Sequence, residues 1–220
     1  MAMIDSVETF VFLDSVQFAR RSWQQRNRIK TPSGPRMITV PVSTKAQRDQ
    51  LIFEVQIDET QNFRSKIVNT LKSNYGRAPF FKEYSPLFFK VIEEQKSNLA
   101  DLNIALIDVA MRCLRIEGKK IIRSKDLPVK GAKTDLLVSI CQYLGYKNYL
   151  SAPGSKEYID ESTAFQDVGI KVGYHEYAHP IYSQQFGAFE SHMAVVDLLF
   201  NEGPESLRIL RQQENRSMRN

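Results

Sequence analysis

From Lys120 onward the sequence alternates short β-branched runs with an amphipathic helical pattern, and this rhythm limits the possible folds more than any other feature. Lys120–Ser124 (KIIRS) reads as a strand. Ala132–Leu144 then places Leu136, Leu137, Ile140 and Leu144 on one helical face, with Gly145 positioned as a C-cap. Asn148–Ala152 (NYLSA) and Ile170–Tyr174 (IKVGY) return to strand character. Strand, helix, strand, helix, strand is the order of parallel α/β units. The expected fold class is therefore α/β, with a mainly parallel central sheet, flanking helices and a helical middle segment.

The first half of the chain fits around that core. Thr9–Leu13 (TFVFL) predicts a buried strand ending at Asp14, and Met37–Val42 and Ile52–Ile57 predict two more, with Thr31–Pro35 as a turn. Helical periodicity follows over Asn62–Asn74, over a segment opened by Pro79, and over Leu99–Ile116; a last helix is expected over His192–Phe200. With 220 residues, 42% of them hydrophobic, one sizeable core is possible. A single domain over 1–220 is expected, with a helical insertion over roughly 61–117 and a frayed tail over roughly 205–220. No apolar run is long enough to span a membrane, Met1–Glu8 lacks signal-peptide character, and Cys113 and Cys141 sit in apolar helical patterns that suit buried thiols. These features predict a cytoplasmic protein.

Residues 175–179 read HEYAH, a literal match to the zinc signature H-E-x-x-H. That chemistry needs a helix, so that one turn brings both imidazoles to a single face. Here Gly173 and a β-rich run precede the motif, and Pro180 disfavours helical backbone at His179. A zinc hydrolase is therefore not expected, and no metal site is assigned. His179 belongs instead with the segment that follows it, HPIYSQ.

The densest polar cluster is Asp14–Lys30, which contains Arg20, Arg21, Arg26, Arg28 and Lys30 with no acid among residues 20–36. Guanidiniums beyond the carboxyl end of a strand can clamp phosphate or carboxylate. A solvated basic loop, with Phe18 and Trp23 covering the core, is the structural alternative. The G-x-K-T run at Gly131–Thr134 is not a Walker A loop; Thr134 or Asp135 could face an anion or simply cap the next helix. Ser151–Ser155 follows a strand and is an equally open site-lining turn. Neither a nucleophile elbow nor a dinucleotide fingerprint is present.

FVFLDSVQFARRSWQQRNRIKTPSG (10–34), NYGRAPFF (74–81), KTDLLVSICQYLGYKNYLSAPGSKEYID (133–160), HPIYSQQFGAF (179–189) and VVDLLFNEG (195–203) together resemble the WbqC-like family of bacterial proteins. The resemblance implies a transferase of O-antigen or other surface-polysaccharide synthesis. Its substrate would be a nucleotide-linked sugar or an activated acyl or amino-acid donor. Polar motif positions that match are Asp14, Gln17, Arg21, Trp23, Asn27, Arg28, Lys133, His179, Tyr182 and Gln184. Relatives usually carry a further strand and a Gln-Pro-x-Tyr-Leu-Pro-type motif ahead of FVFLD. Neither is found ahead of Thr9 here, so either the start is mis-assigned or truncated or this member lacks that strand and has an uncovered sheet edge.

The expected site therefore uses Arg20, Arg21, Arg26 and Arg28 to hold an anionic substrate, with Gln17, Asn27, Lys133, Tyr182 and Gln184 as further contacts. His179 serves as general base or acid and Asp14 orients or activates. No cofactor is identified. An ATP-dependent nucleotidyltransferase activating a small acid is a second reading. A non-enzymatic RNA- or partner-binding protein, using Trp23 and Phe18 beside the basic stretch, is a third.

Overall fold

The structure, a computed structural model, describes residues 1–43 and 49–212. In chain order its elements are helix α1 (Ala2–Asp5), strands β1 (Thr9–Phe12), β2 (Arg26–Thr31) and β3 (Gly34–Thr39), helices α2 (Phe63–Tyr75), α3 (Phe81–Glu93) and α4 (Leu99–Leu114), and strand β4 (Lys120–Arg123). Helix α5 (Lys133–Leu144), strand β5 (Asn148–Ser151), helices α6 (Lys156–Asp160) and α7 (Ala164–Asp167), strand β6 (Lys171–Tyr174), and helices α8 (Val195–Glu202) and α9 (Ser206–Arg211) follow among the described residues. The α/β class holds. The strands form three two-stranded sheets: parallel β1–β4, antiparallel β2–β3 and parallel β5–β6. Among the described residues no helix is long and apolar enough to cross a membrane.

The chain divides into two compact units, one built from residues 1–2, 17–118 and 179–220, the other from residues 3–16 and 119–178. The larger unit is the helical one. Its helix α8 carries Leu199 and Phe200 at 0% exposure, and the Phe200 ring meets Tyr75, Phe81 and Phe88 edge-on at 5.6, 5.1 and 6.2 Å. Edge-to-face contacts of this kind are favourable beyond the area they bury. Helix α4 starts at Asn98, whose side chain accepts from the Asp101 amide and donates to the Phe53 carbonyl, so one residue caps the helix and ties down a loop.

The smaller unit packs α5 against α6, α7 and the β5–β6 pair. Leu137, Val138, Cys141, Ile159, Phe165 and Ile170 form its buried cluster, and Tyr149 stacks on Phe165 at 5.1 Å. Gly145 ends α5 in the left-handed conformation (φ 77°), as its C-cap placement predicts. Cys113 and Cys141 are both free thiols, and burial pushes Cys141 up to about 11.

Three sequence expectations change. The basic stretch is not a loop throughout, since Arg26–Thr31 is a strand, and the expected turn shrinks to Pro32–Ser33 between β2 and β3. Thr31 Oγ1 donates to the Gly34 carbonyl and accepts the Ser33 amide, and Gly34 takes φ 93°, a conformation glycine adopts without strain. Ile52–Ile57 is not a strand: residues 52–54 form a 3-10 turn, and Ile57 makes only an isolated bridge to Val42. Finally, the tail is helical over Ser206–Arg211; the rest of the expected frayed segment, from residue 213, lies outside the described residues.

Candidate functional site

Asp197 lies at 0% exposure inside the apolar run of α8 and collects three side-chain hydrogen bonds from two other parts of the chain. The Tyr75 hydroxyl at the end of α2 donates to Oδ2 at 2.7 Å. Tyr182 Oη and Gln184 Nε2 donate to Oδ1 at 3.0 and 2.9 Å. A buried carboxylate without donors would be costly, and here each oxygen has at least one. Burial pushes the carboxyl above its ordinary range, while the donors from Tyr75, Tyr182 and Gln184 and the charge of Lys30 pull it down. Burial likewise raises the Tyr75 hydroxyl, reinforced by the neighbouring Asp197, so Tyr75 stays a donor.

Strand β2 meets this cluster through Lys30. Alternation places Arg26, Arg28 and Lys30 on one face and Asn27, Ile29 and Thr31 on the other. Lys30 is buried, its amide N–H donates to Tyr75 Oη at 2.8 Å, and its ammonium donates to the Ala188 carbonyl. Arg28 donates from Nη2 to the Ser191 carbonyl at 3.3 Å, and its guanidinium lies 5.7 Å from the ring centroid of Trp23, which is 64% exposed. The Nε atoms of Arg26 and Arg28 are both buried and have no hydrogen-bond partner among the described residues. Both guanidiniums lie on one face of β2.

The loop from His179 to Ala194 lies against β2, with the Ala194 amide donating to the Arg28 carbonyl at 2.7 Å. His179 Nδ1 lies 2.8 Å from its neighbour's carbonyl at Pro180, an acceptor, so Nδ1 carries the proton and Nε2 is the basic nitrogen. The ring packs against Tyr182, Phe189 and His192, at centroid distances of 6.1, 5.7 and 5.0 Å. Burial holds His179 below its ordinary range, helped by His192 and opposed by the Pro180 carbonyl and Asp197. Gln184 closes the loop on itself, accepting the Glu190 amide and donating to the Glu190 carbonyl. Glu202, at the end of α8, accepts the Ser183 amide at 2.7 Å.

Of the residues expected from sequence, His179, Tyr182 and Gln184 come together in the larger unit, Arg28 reaches Ser191 of the same loop, and Arg26 shares its strand. Arg20 and Arg21 are exposed in the preceding loop, Arg21 with φ 59° and its amide on Gln25 Oε1. Gln17 is exposed and donates to Asp49, while Asn27 lies on the far face of β2 and accepts the Arg28 amide. Asp14 and Lys133 belong to the other unit. Asp14 is buried and fully engaged: Arg123 Nε at 2.6 Å, the Lys125 amide at 3.0 Å and Ser124 Oγ at 3.2 Å all donate to it. Lys133 is exposed at the start of α5.

HEYAH is not helical. Strand β6 ends at Tyr174, and residues 175–184 have no regular structure. The boundary between the compact units falls inside the motif, after Ala178. No group of three or more potential metal-ligating side chains occurs among the described residues.

Tyr75, His179, Tyr182, Gln184 and Asp197 sit in three of the sequence segments quoted above, and the β2 basic residues sit in a fourth. A family model for the WbqC-like protein family matches residues 1–209. The chain belongs to the WbqC-like protein family. An uncharacterized protein of Mycobacterium tuberculosis is 35% identical over 215 residues, covering 96% of this chain and 92% of its own length. No solved structure matches. Sequence reasoning missed Asp197, Tyr75, Lys30 and His192 as members of this WbqC-like site. The signal for Asp197 was there: it is the lone acid in VVDLLF, and an acid in a buried apolar run requires donors.

Proposed function

We propose that this WbqC-like protein is a transferase of surface-glycan biosynthesis that binds the anionic portion of a nucleotide-linked sugar in the larger unit. The observation that carries the reading is the pair of partly exposed guanidiniums of Arg26 and Arg28 on one face of β2, whose Nε atoms have no hydrogen-bond partner among the described residues. A diphosphate offers acceptor oxygens in the geometry a guanidinium recognises best. Trp23, exposed beside Arg28, supplies a flat surface on which a nucleobase can stack. His179, with Nε2 unprotonated, is the group to take a proton from an attacking hydroxyl or amine. Tyr182 and Gln184 act through Asp197 to hold the His179 loop, and are positioning residues. Asp14 has no proton-transfer role in this reading, its carboxylate being committed to Arg123, Ser124 and Lys125.

The test is a thermal-shift screen of nucleoside-diphosphate sugars, acyl-CoAs and ATP, followed by calorimetry on any compound that raises Tm. A nucleoside-diphosphate sugar should bind, and Arg26→Gln/Arg28→Gln should weaken it at least about tenfold. Binding that is unchanged in that variant sinks the reading. ATP binding with pyrophosphate release would favour a nucleotidyltransferase instead. Oligonucleotide binding with a steep salt dependence would favour nucleic acid as the anion.

A further inference from the structure

The larger unit holds two histidines, and the transferase reading uses only His179. The other, His192, stands on a tightly held segment. Its backbone takes φ 59°, a left-handed conformation that is costly for a residue with a side chain and persists where neighbouring bonds fix it. Arg28 supplies those bonds: its Nη2 donates to the Ser191 carbonyl at 3.3 Å, and its own carbonyl accepts the Ala194 amide at 2.7 Å. His192 lies between these two anchors. The strained residue is therefore fastened to one of the two arginines assigned to the substrate's anionic portion.

The imidazole is oriented as well. Nδ1 lies 2.8 Å from Ser191 Oγ, and a hydroxyl can accept from the N–H of a charged ring, which gives Nε2–H to a second acceptor. The ring centroids of His179 and His192 are 5.0 Å apart, but His192 is exposed and His179 only partly so. Two like groups in unlike surroundings suit unlike roles: the partly buried imidazole suits a neutral base, the exposed one a cation. The charged and titratable groups of the elements around His192 are Arg26, Arg28 and Lys30 of β2, Asp197 of α8, and His179 and Glu190 of its own loop. The β2 cations oppose a further positive charge, whereas Asp197 and Glu190 favour it. A bound diphosphate adds negative charge and tips that balance.

We infer that His192 is a further substrate-binding residue: as an imidazolium it donates from Nε2 to a phosphate oxygen of the nucleotide-linked sugar, alongside Arg28. The inference rests on the reading of the larger unit as a nucleotide-sugar site. Such a bond is charge-assisted at both ends, and it exists only while the ring is protonated. Binding and protonation are then coupled, each favouring the other by the same factor. Histidine is the side chain whose charge changes between about pH 5 and about pH 8, so the affinity for substrate becomes pH-dependent in that range.

The test is calorimetry of the full chain with UDP-glucose at about pH 5.5 and about pH 8. Both phosphates of this probe are esterified, so its own charge is the same at either pH. The affinity should be at least about fivefold higher at the lower pH. His192→Gln should match the parent at the higher pH and lose the gain at the lower one. His192→Arg, charged throughout, should bind at the higher pH about as tightly as the parent does at the lower. A gain that survives in His192→Gln, or no improvement at the higher pH in His192→Arg, overturns the inference and leaves nucleotide-sugar binding standing. Equal affinity of the parent at the two pH values does the same. Absence of UDP-glucose binding at both pH values overturns the inference together with the reading it rests on.

Discussion

The Tyr75 hydroxyl donates to Asp197 Oδ2 at 2.7 Å while accepting the backbone N–H of Lys30 at 2.8 Å. One phenol therefore links the last turn of α2, the basic strand β2 and the buried acid of α8. Tyr182 and Gln184 attach the His179 loop to the same carboxylate. The site is assembled around a group that solvent does not reach, and Asp197 holds in place residues that do reach the surface.

Tyr75→Phe should cost about 2 kcal/mol, since it strips the Lys30 amide of its acceptor and Asp197 of one donor. Asp197→Asn should cost more, about 3 kcal/mol, because an amide N–H₂ replaces an acceptor where three donors converge. The double variant should lose less than the sum, by about 1 kcal/mol, as both changes break one shared bond. Urea denaturation of the four proteins measures this. Additive losses would show that Tyr75 and Asp197 act independently.

Trp23 and Arg28 should separate by ligand. Trp23→Ala removes a stacking surface and should weaken UDP about tenfold while leaving inorganic pyrophosphate nearly unchanged. Arg28→Gln should weaken both, since it removes a charged donor. Calorimetry with the two ligands tests the split. Loss of pyrophosphate affinity in Trp23→Ala would mean that the ring supports Arg28 rather than a base.

Periodicity was the reliable guide to this fold, and long-range pairing was what it could not supply. The helices α2, α4 and α5 and the strands β1, β4, β5 and β6 fall within a residue or two of their apolar patterns. Strand β2 was missed because its alternation is carried by Arg26, Arg28 and Lys30 rather than by apolar residues, so a buried basic face looks like a solvated loop. Asp14 and Asp197 show the same limit from the other side. Both are acids beside apolar runs, but only the fold reveals that Arg123, Ser124 and Lys125 enclose one while two tyrosines and a glutamine enclose the other. Within His179–Gln184, Pro180 told against a zinc helix; the tie to Asp197 depends on contacts that no local pattern encodes.

Gly203 should tolerate no side chain. Its backbone (φ 50°, ψ −121°) is one that only glycine adopts readily, and a Cβ there would lie 2.4 Å from ring atoms of Phe80. Gly203→Ala should cost about 3 kcal/mol through strain and overlap together. If urea denaturation shows a loss within about 0.5 kcal/mol, the Phe80 ring has room to move aside.

Asp14→Asn should reduce stability without affecting nucleotide-sugar affinity. Arg123 would lose its buried carboxylate partner, a change worth about 2–3 kcal/mol at a site 3% exposed. Calorimetry below the variant's Tm separates the two effects. Weakened binding in a folded Asp14→Asn protein would return Asp14 to the substrate site.

The pH dependence of stability should reflect His179 and Asp197 with opposite signs. Burial lowers His179 from its ordinary 6.5, so the unfolded chain binds this proton more readily than the folded one. Its contribution is fully present above 6.5 and is lost as pH falls through the lowered folded value. Asp197 is raised from 3.8, so the folded chain holds that proton longer, and stability falls as pH rises from 3.8 through the raised folded value. Between about pH 5.5 and about pH 7.5 the His179 contribution should make stability rise. His179→Gln, which keeps a polar side chain but cannot titrate, should flatten that rise. Urea denaturation at both ends of the range gives the slope for each protein. An unchanged slope in His179→Gln would assign the titration to another group and remove the reason to regard His179 as a base held neutral at pH 7.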